Sequence, residues 1–384
     1  MKGKTIVACL LLILLCFCPG VFAGQQQFPE LSSIAVVVYD ADLDQVLYEK
    51  NAYQSRSIAS LTKIMTMLYI CELVEAGKIK LDEQVTASAN AASRGGTQIN
   101  LKSGDKFTVE ELLYAAALAS ANDASVALAE YVAGSEREFA KLMTKRAHEL
   151  GLKNSNYVDS TGLLSIYSGN YSTAYDMAIL SKIAMENPLF RKLVSTKEYG
   201  LEAQGRTMRN SNALLHDVPG VDGIKTGATT PAGHTLITSA VRHGRRLIVV
   251  VLGAPSREVR NEESKQLLEY AYANLEVLIP AGTHQGQGYV SDGVSHLIDV
   301  VTAEDFSLFV FNEEMRKFDT RVELQKLRAP IDKGDKIGEL IIIQNEQEIA
   351  AIDLVSNTST GLASFIRRLW NNLVGLISRL WGGD

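Results

Sequence analysis

An alanine-rich apolar stretch at residues 112–131 limits most strongly what this chain can fold into. Its periodicity predicts helix, and a helix that is apolar on every side is more easily buried in the middle of a domain than exposed on it. Runs rich in β-branched residues lie on both sides of it in the sequence, at residues 33–40, 235–242 and 246–252. The sequence therefore predicts an α+β domain, in which an antiparallel sheet packs against a helical block.

Four further segments have helical periodicity and complete the first domain, namely residues 60–75, 139–150, 175–186 and 261–274. Between the second and third of these, residues 154–171 form a long polar loop. Long loops in compact domains are often functional, so this loop is a candidate wall of a cleft.

The N-terminal residues have the pattern of an export signal. Lys2 and Lys4 precede a short uncharged apolar run, and Ala23 is the small residue at the expected cleavage position. The run has about 12 strongly apolar residues, too few to span a bilayer. We therefore expect a signal peptide at residues 1–23 and an exported protein. Only Cys71 of the four cysteines lies beyond it, so we expect stabilisation by the core and no internal disulfide.

The composition argues against two classes of protein. The 384-residue chain is 46% hydrophobic and 21% charged, and its formal net charge is −6. Its body contains no basic tract, so nucleic-acid binding is not expected. The six histidines lack metal-ligand spacing, so we expect neither a metal site nor another cofactor.

Two further units follow the first domain, which we assign to residues 24–278. After a linker-like Ile279-Pro280-Ala281-Gly282, a small all-β domain is predicted over residues 282–355. Its expected strands are short alternating runs at residues 295–301, 306–311, 322–327 and 336–343.

Residues 359–381 are predicted to form an amphipathic helix. Apolar residues recur at spacings of three and four, the opposite half is basic, and Trp370 and Trp381 suit an interface. Such a helix lies in the membrane surface rather than crossing it. The alternative is a helix docked on the protein itself. Its terminal position, after a linker rich in serine, threonine and asparagine, favours the membrane.

A candidate catalytic pair stands at the start of the predicted helix at residues 60–75. Ser60 and Lys63 share one helix face, and an amine beside a hydroxyl can activate serine as a nucleophile. Free N–H groups at the helix start favour a developing oxyanion. Lys63 can act as a base only if burial or a second cation lowers its pKa, which points to another lysine in the site. A second Ser-x-x-Lys, at Ser103 and Lys106, lies in a predicted turn.

Two further motifs supply groups that such a pair needs. Ser120-Ala121-Asn122 interrupts the buried helical stretch with polar groups, which must be paired or used there. The structural alternative is a helix-to-helix turn with local capping. Lys225-Thr226-Gly227 opens a β-rich run, where a strand edge can bind an extended peptide. Ser-x-x-Lys, Ser-Asp-Asn (here with alanine at position 121) and Lys-Thr-Gly form the signature of penicillin-binding proteins and class A β-lactamases.

With these motifs in this order, the chain resembles the D-alanyl-D-alanine carboxypeptidases, the low-molecular-mass penicillin-binding proteins of serine peptidase family S11. The resemblance runs from about residue 27 to the C-terminus and includes residues 58–66, 118–124, 171–174 and 221–227. The β-domain with Ala329-Pro330-Ile331 and the terminal helix also lie where the family has them. The resemblance implies a penicillin-binding/β-lactamase-like transpeptidase fold for the first domain.

The resemblance also implies a role for each motif. Ser60 would be acylated by the carbonyl of the penultimate D-Ala, and Lys63 would take its proton. Ser120 would relay a proton to the departing D-Ala, with Asn122 holding the peptide amide. The terminal carboxylate would meet a positively charged, substrate-binding side, and the backbone N–H groups of Ser60 and the residue after Lys-Thr-Gly would form the oxyanion hole. That side comprises Lys225, Thr226, Gly227, Ala228 and Arg260.

Two positions depart from the family pattern. Many relatives have a bulkier residue at Ala228, and histidine is common at Asn170. The change at Ala228 keeps the backbone donor. Because of the asparagine at position 170, we assign no catalytic residue to the long loop.

We therefore expect a serine carboxypeptidase that removes the terminal D-alanine from peptidoglycan stem peptides ending in D-Ala-D-Ala. It is expected to be inhibited covalently by penicillins and other β-lactams. Its expected location is the outer face of the cytoplasmic membrane, held there by the C-terminal helix. The alternatives are a D,D-endopeptidase acting on cross-linked peptidoglycan and a catalytically silent peptidoglycan-binding protein. A β-lactamase is disfavoured, because Asp159 is the only carboxylate that the loop offers for deacylation.

Overall fold

The computed structural model describes residues 28–163, 169–201 and 204–366. The predicted signal peptide lies outside these ranges, and so does the predicted amphipathic helix beyond residue 366. Within the described ranges, no helix has both the length and the apolar character needed to span a membrane.

The strands of the first domain are β1 (Ala35–Asp40), β2 (Gln45–Lys50), β3 (Arg56–Ser57), β4 (Gln84–Thr86), β5 (Lys106–Thr108), β6 (Tyr171–Ser172), β7 (Glu198–Leu201), β8 (Arg206–Arg209), β9 (Val221–Thr229), β10 (Gly233–Arg242) and β11 (Arg245–Ala254). Its helices are α1 (Lys63–Glu75), α2 (Ala89–Ala92), α3 (Val109–Leu118), α4 (Asn122–Ala133), α5 (Glu136–Glu149), α6 (Ala174–Glu186), α7 (Pro188–Ser195), α8 (Leu214–Asp217) and α9 (Arg257–Ala273). A 3-10 turn at Ala59–Thr62 precedes α1.

A five-stranded antiparallel sheet, in the order β2-β1-β11-β10-β9, lies at the centre of the first domain. The side chains of β1 alternate between two cores. Val37 and Tyr39 face the helical block, whereas Val36 and Val38 face the side that α9 covers. Because both faces are buried, these strands are runs of apolar residues rather than alternating ones. The predicted α+β class is confirmed.

The apolar stretch at residues 112–131 forms two helices, so its prediction as one helical region is wrong in detail. α3 ends at Leu118 and α4 begins at Asn122. Ser120, between them, has a φ of 57°, a left-handed conformation that interrupts a helix. The structure therefore turns the chain at the polar motif, and it keeps Ser120 buried there at 8% exposure.

The strands of the β-domain are β12 (Leu275–Ile279), β13 (His284–Tyr289), β14 (Leu297–Thr302), β15 (Phe306–Phe309), β16 (Asp319–Leu324), β17 (Lys336–Gln344) and β18 (Gln347–Ser356). Five of them form a second antiparallel sheet, in the order β13-β14-β18-β17-β16, and β12 pairs separately with β15. β12 precedes the predicted linker, yet it pairs with β15 through Leu275 and Phe309. By strand pairing the β-domain therefore begins at Leu275, a partnership that short-range patterns do not reveal.

Candidate active site

Ser60 lies in the 3-10 turn before α1, and Lys63 is the first residue of that helix. The sequence predicted that the helix begins at Ser60, but Ala59 has a φ of 47° and the chain enters through a tighter turn. Lys63 Nζ lies 3.2 Å from Ser60 Oγ, within hydrogen-bond reach. The structure thus brings the candidate nucleophile and base together.

The Lys63 amine is fully buried, and burial lowers its pKa to about 7. The ammonium form would lose its hydration there, so the neutral form is favoured. The carboxylates of Asp159, Asp123 and Glu136 oppose this shift, because negative charge favours the ammonium. An amine with a pKa near neutrality can accept the Ser60 proton at neutral pH, as a general base must.

Two oxygens from distant parts of the chain hold Lys63 Nζ. Asn122 Oδ1 accepts from it at 2.7 Å, and the Thr161 carbonyl oxygen accepts at 3.0 Å. A neutral amine that donates to both oxygens directs its lone pair elsewhere, and Ser60 is the third neighbour. Asn122 Nδ2 in turn donates to the Gly95 carbonyl oxygen at 2.8 Å. Asn122 therefore orients the candidate base, a contact that the sequence did not indicate.

The long loop supplies the Thr161 carbonyl through a tight turn. Asp159 Oδ1 accepts from Thr161 N at 2.7 Å and from Gly162 N at 2.5 Å. Asn170 Nδ2 donates to Thr62 Oγ1 at 2.9 Å, which ties the loop to the Ser60 turn. The sequence indicated no catalytic residue in this loop, and the Thr161 contact was not predicted. The signal was an aspartate two residues before a threonine and three before a glycine, a pattern typical of such turns.

Lys225 and Thr226 lie on β9, the edge strand of the central sheet. Lys225 is buried, and burial first, then the charges of Lys63 and Arg260, hold its pKa well below the usual range. The sequence suggested that Lys225 helps to keep Lys63 neutral. In the structure burial is the largest cause of the lowered pKa of both lysines, and repulsion between the two amines adds to it.

Thr226 faces a hydroxyl group, that of Ser211, which was not predicted from the sequence. Its Oγ1 lies 2.9 Å from Ser211 Oγ. Ser211 N donates to the Leu118 carbonyl oxygen at 3.1 Å, so it joins β9 to the end of α3, two residues before Ser120. Without the fold, nothing in the local sequence distinguishes Ser211 from other surface serines.

Gly227 allows β9 to pass directly over the Ser60 turn. A Cβ at Gly227 would lie 3.0 Å from Ser60 N and 3.2 Å from Ala59 Cβ, tighter than most side-chain contacts. The next residue, Ala228, pairs with His234 of β10. The backbone N–H groups of Ser60 and Ala228 therefore belong to adjoining segments, as a two-donor oxyanion hole requires.

Arg260 lies on α9 behind this part of the sheet. Its Nη1 donates to the Thr235 carbonyl oxygen at 3.4 Å, and Thr235 pairs with Gly227. Its Nη2 donates to Asn261 Oδ1 at 2.9 Å. Burial lowers the pKa of Arg260 to about 10, so the guanidinium remains charged at neutral pH. A buried cation at this level of the sheet attracts anionic groups toward the end of β9.

The second Ser-x-x-Lys does not form a comparable site. Ser103 lies in an exposed turn, and Lys106 is an exposed residue of β5. Among the residues that the structure describes, no cluster of histidine, cysteine, aspartate and glutamate could hold a metal ion.

The fold, together with the buried Lys63 beside Ser60 and Lys225 near Lys63, is that of a serine peptidase of the penicillin-binding class. A family model described as D-alanyl-D-alanine carboxypeptidase matches residues 22–256. A second model, the C-terminal domain of penicillin-binding protein 5, matches residues 275–360. The chain belongs to the D-alanyl-D-alanine carboxypeptidase family. Its activity is that of a serine-type D-Ala-D-Ala carboxypeptidase, a hydrolase.

Individual relatives match along most of the chain. D-alanyl-D-alanine carboxypeptidase DacF of Bacillus subtilis is 38% identical over 92% of this chain and 94% of its own length. DacD of Escherichia coli is 34% identical over 89% of this chain and 90% of its own. Penicillin-binding protein 5 of Haemophilus influenzae superposes with a TM-score of 0.66 at 30% identity, covering 88% of this chain and 99% of that one. Penicillin-binding protein D2 of Listeria monocytogenes, in its ampicillin-bound form, gives a TM-score of 0.59 at 30% identity, over 64% and 100%.

Proposed function

We propose that Ser60 attacks the carbonyl carbon of the penultimate D-Ala while Lys63 Nζ takes the Ser60 proton. The new Ser60 ester forms as the peptide bond breaks, and the departing D-Ala amine receives a proton through Ser120. Water then hydrolyses the ester and frees Ser60. The observation that carries this proposal is the buried Lys63 amine, with a pKa of about 7, at 3.2 Å from Ser60 Oγ.

Substrate binding is assigned to β9 and Arg260. An extended stem peptide adds to the open edge of β9, and its terminal carboxylate meets Thr226 and the positive charge of Arg260. Asn122, whose Oδ1 accepts a hydrogen bond from Lys63, is also assigned to contact the peptide amide. The backbone N–H groups of Ser60 and Ala228 hold the oxyanion.

A β-lactam tests the nucleophile directly. The wild type should form a long-lived ester with fluorescent penicillin, and Ser60→Ala should form none. Ser103→Ala, which alters the exposed second motif, is the matched control and should label like the wild type. Covalent labelling of Ser60→Ala would show that another residue is acylated.

Two substrates distinguish D,D-carboxypeptidase activity from D,D-endopeptidase activity. Purified protein is given a pentapeptide and a cross-linked dimer, and release of D-alanine is compared with release of monomer. We expect D-alanine release to dominate. Monomer release at a similar rate would make the protein an endopeptidase as well, and no release from either would make it a peptidoglycan-binding protein.

We further propose that the protein is exported and held at the outer face of the cytoplasmic membrane by its C-terminal amphipathic segment. The signal pattern of residues 1–23 and the basic, tryptophan-containing segment after residue 359 support this. Removing residues 367–384 should release the protein from membranes and keep activity on soluble peptide. This truncation spares Thr360, which pairs with Ile331 in the β-domain. Retained membrane association would identify a different anchor.

A further inference from the structure

Exposed apolar side chains gather at one end of the β-domain, where the described chain ends. One group belongs to the β13–β14 hairpin, and the other follows β18. Their exposed fractions are 50% for Tyr289, 45% for Val294, 50% for Leu297, 53% for Leu362, 68% for Phe365 and 80% for Ile366. Apolar groups so exposed and so close together mark interaction surfaces more often than chance.

Hydrogen bonds join the two groups into one surface. Val294 N donates to the Gly361 carbonyl oxygen at 2.8 Å, and Ala363 N donates to the Asp292 carbonyl oxygen at 2.9 Å. Tyr289 and Leu297 are cross-strand partners and so share a face of the hairpin. We call the six exposed residues the end face.

We propose that the end face inserts into the surface of an anionic membrane, beside the C-terminal segment. This inference rests on the proposed membrane anchoring. It adds a second contact made by Tyr289, Val294 and Leu297, because the other three residues of the end face already belong to the predicted anchor segment. The apolar surface is continuous with Phe365 and Ile366, and the sequence continues from them with Arg367 and Arg368. An aromatic and aliphatic surface next to basic residues suits the boundary between lipid headgroups and acyl chains.

A positively charged side chain of the β-domain lies near the end face, as contact with an anionic membrane would require. Arg328 is exposed, and it precedes Ala329, whose N donates to Asp292 Oδ1 at 2.8 Å next to the end face. The Asp292 carboxylate is thus engaged by the backbone at this edge. A basic residue near a membrane surface adds favourable interaction with anionic lipids.

A second contact has a mechanical consequence. If the C-terminal segment were the sole membrane contact, the β-domain would be joined to the membrane through one short connection. The β-domain could then tilt relative to the membrane surface. The hairpin residues of the end face lie on the folded domain itself, because β14 pairs with β18. Insertion of both therefore fixes the tilt of the β-domain on the membrane.

A single environment-sensitive probe tests the contact in the full-length mature protein. Val294→Cys is labelled with a nitrobenzoxadiazole dye; the native Cys71 is buried and does not compete. The control is Val322→Cys, a residue of β16 that is 40% exposed at the opposite edge of the sheet. With phosphatidylglycerol–phosphatidylethanolamine vesicles, dye at position 294 should gain roughly twofold or more in emission and shift to the blue, as expected for apolar surroundings. Dye at position 322 should not change.

The second measurement is the partitioning of the protein between solution and vesicles. Tyr289→Ser with Leu297→Ser should lower binding to the same vesicles about tenfold, since two apolar side chains no longer insert. Val322→Ser with Leu324→Ser, the control pair on β16, should change it less than about twofold. Both pairs should keep wild-type activity on a soluble peptide, which shows that they fold.

The outcomes separate this inference from the anchoring itself. If the wild type binds vesicles and the probe at position 294 does not respond, the end face is not a membrane contact, although the anchor stands. If the wild type does not bind vesicles, both proposals fail. If the probe is already blue-shifted without vesicles, the end face is covered by the chain's own terminal segment or by a second copy, and this inference is wrong.

Discussion

Gly162 of the long loop lies directly against the carbonyl oxygen of Ala59, the residue before the nucleophile. A Cβ at Gly162 would come within 1.9 Å of that oxygen and within 2.7 Å of Thr62 Oγ1. Gly162 also has a φ of 79°, which glycine adopts readily and other residues do not. The turn that carries Ser60 is therefore held from outside by the loop, at a position where no side chain fits.

Gly162→Ala should consequently disrupt both the turn and the activity. We expect a loss of more than about 3 kcal/mol of unfolding free energy, since the strained φ adds to a backbone clash. Acylation by fluorescent penicillin should fall more than about 100-fold, because the turn moves by a sizeable fraction of an ångström. Thermal unfolding and labelling rates measure the two effects.

The matched control is Gly77→Ala, which has a similar φ of 66° but open space around its Cβ position. Gly77→Ala should lower the unfolding free energy by only about 1–2 kcal/mol and leave the acylation rate unchanged. If both variants behave alike, backbone conformation alone accounts for the effect, and the contact with Ala59 does not matter.

Acylation should depend on pH through Lys63. Because its pKa is about 7 and only the neutral amine accepts a proton, the acylation rate should fall about tenfold per pH unit well below pH 7 and level off above it. Asp159→Asn keeps an acceptor oxygen for the Thr161 turn and removes a negative charge that raises the pKa of Lys63. The midpoint should then move to lower pH. Asp217→Asn, an exposed control, should not move it, and a midpoint that Asp159→Asn leaves in place would contradict the assignment.

The unfolding free energy should also depend on pH through Lys63, and the direction of that dependence follows from its lowered pKa. Burial lowers the pKa of Lys63 from 10.5 to about 7, so between these values the unfolded chain binds more protons than the folded one. The cost of burying the amine is therefore fully present below pH 7 and decreases as pH rises toward 10.5. Lys63→Met removes the titrating group. Its unfolding free energy relative to wild type should decline by up to about 1.4 kcal/mol per pH unit across this window, as denaturant titrations at several pH values would show. A difference independent of pH would mean that the folded amine keeps its ordinary pKa.

Substitution of Ser120 by glycine should affect stability and activity in opposite directions. Its φ of 57° is unfavourable for serine, and glycine relieves it. Ser120→Gly should thus match the wild type or exceed it by up to about 1 kcal/mol in unfolding free energy, while turnover of peptide falls at least about 100-fold. Ser120→Ala removes the hydroxyl without relieving the backbone and should be the less stable of the two. A stable, active Ser120→Gly would remove Ser120 from the proton path.

The three motifs were predictable because each is a short run of adjacent residues with its own chemistry. Lys63 beside Ser60 follows from their spacing of three residues. The Lys225 triplet was predicted to open a β-rich run, and the structure places it in the middle of β9 instead, because the strand already begins at Val221. Thr161 and Ser211 were not predictable in the same way, since each acts through a contact fixed by folding. The Thr161 carbonyl reaches Lys63 across 98 residues of sequence. A backbone oxygen has no sequence signature, and only the turn at Asp159 hinted at its position.

The predicted helix boundaries were wrong at two places where the backbone adopts a conformation that the local helix propensity does not favour. The alanine-rich stretch favours continuous helix, yet the left-handed Ser120 divides it. Helix α1 begins at Lys63 rather than Ser60 because Ala59 is also left-handed. Both exceptions lie at the active site, where local preference is overridden by contacts that position the chemistry.

The position of β1 between β2 and β11 constrains the order in which this protein can assemble. β1 pairs on one side with β2, close in sequence, and on the other with β11, where Asp40 meets Arg245 across 205 residues. A polypeptide that emerges N-terminus first exposes one edge of β1 until β11 has also emerged, so the sheet closes late and through a contact of high sequence separation. Synthesis and folding are therefore coupled in time, because the sheet of the nucleophile's domain can close only after β11, at Arg245–Ala254, has been made.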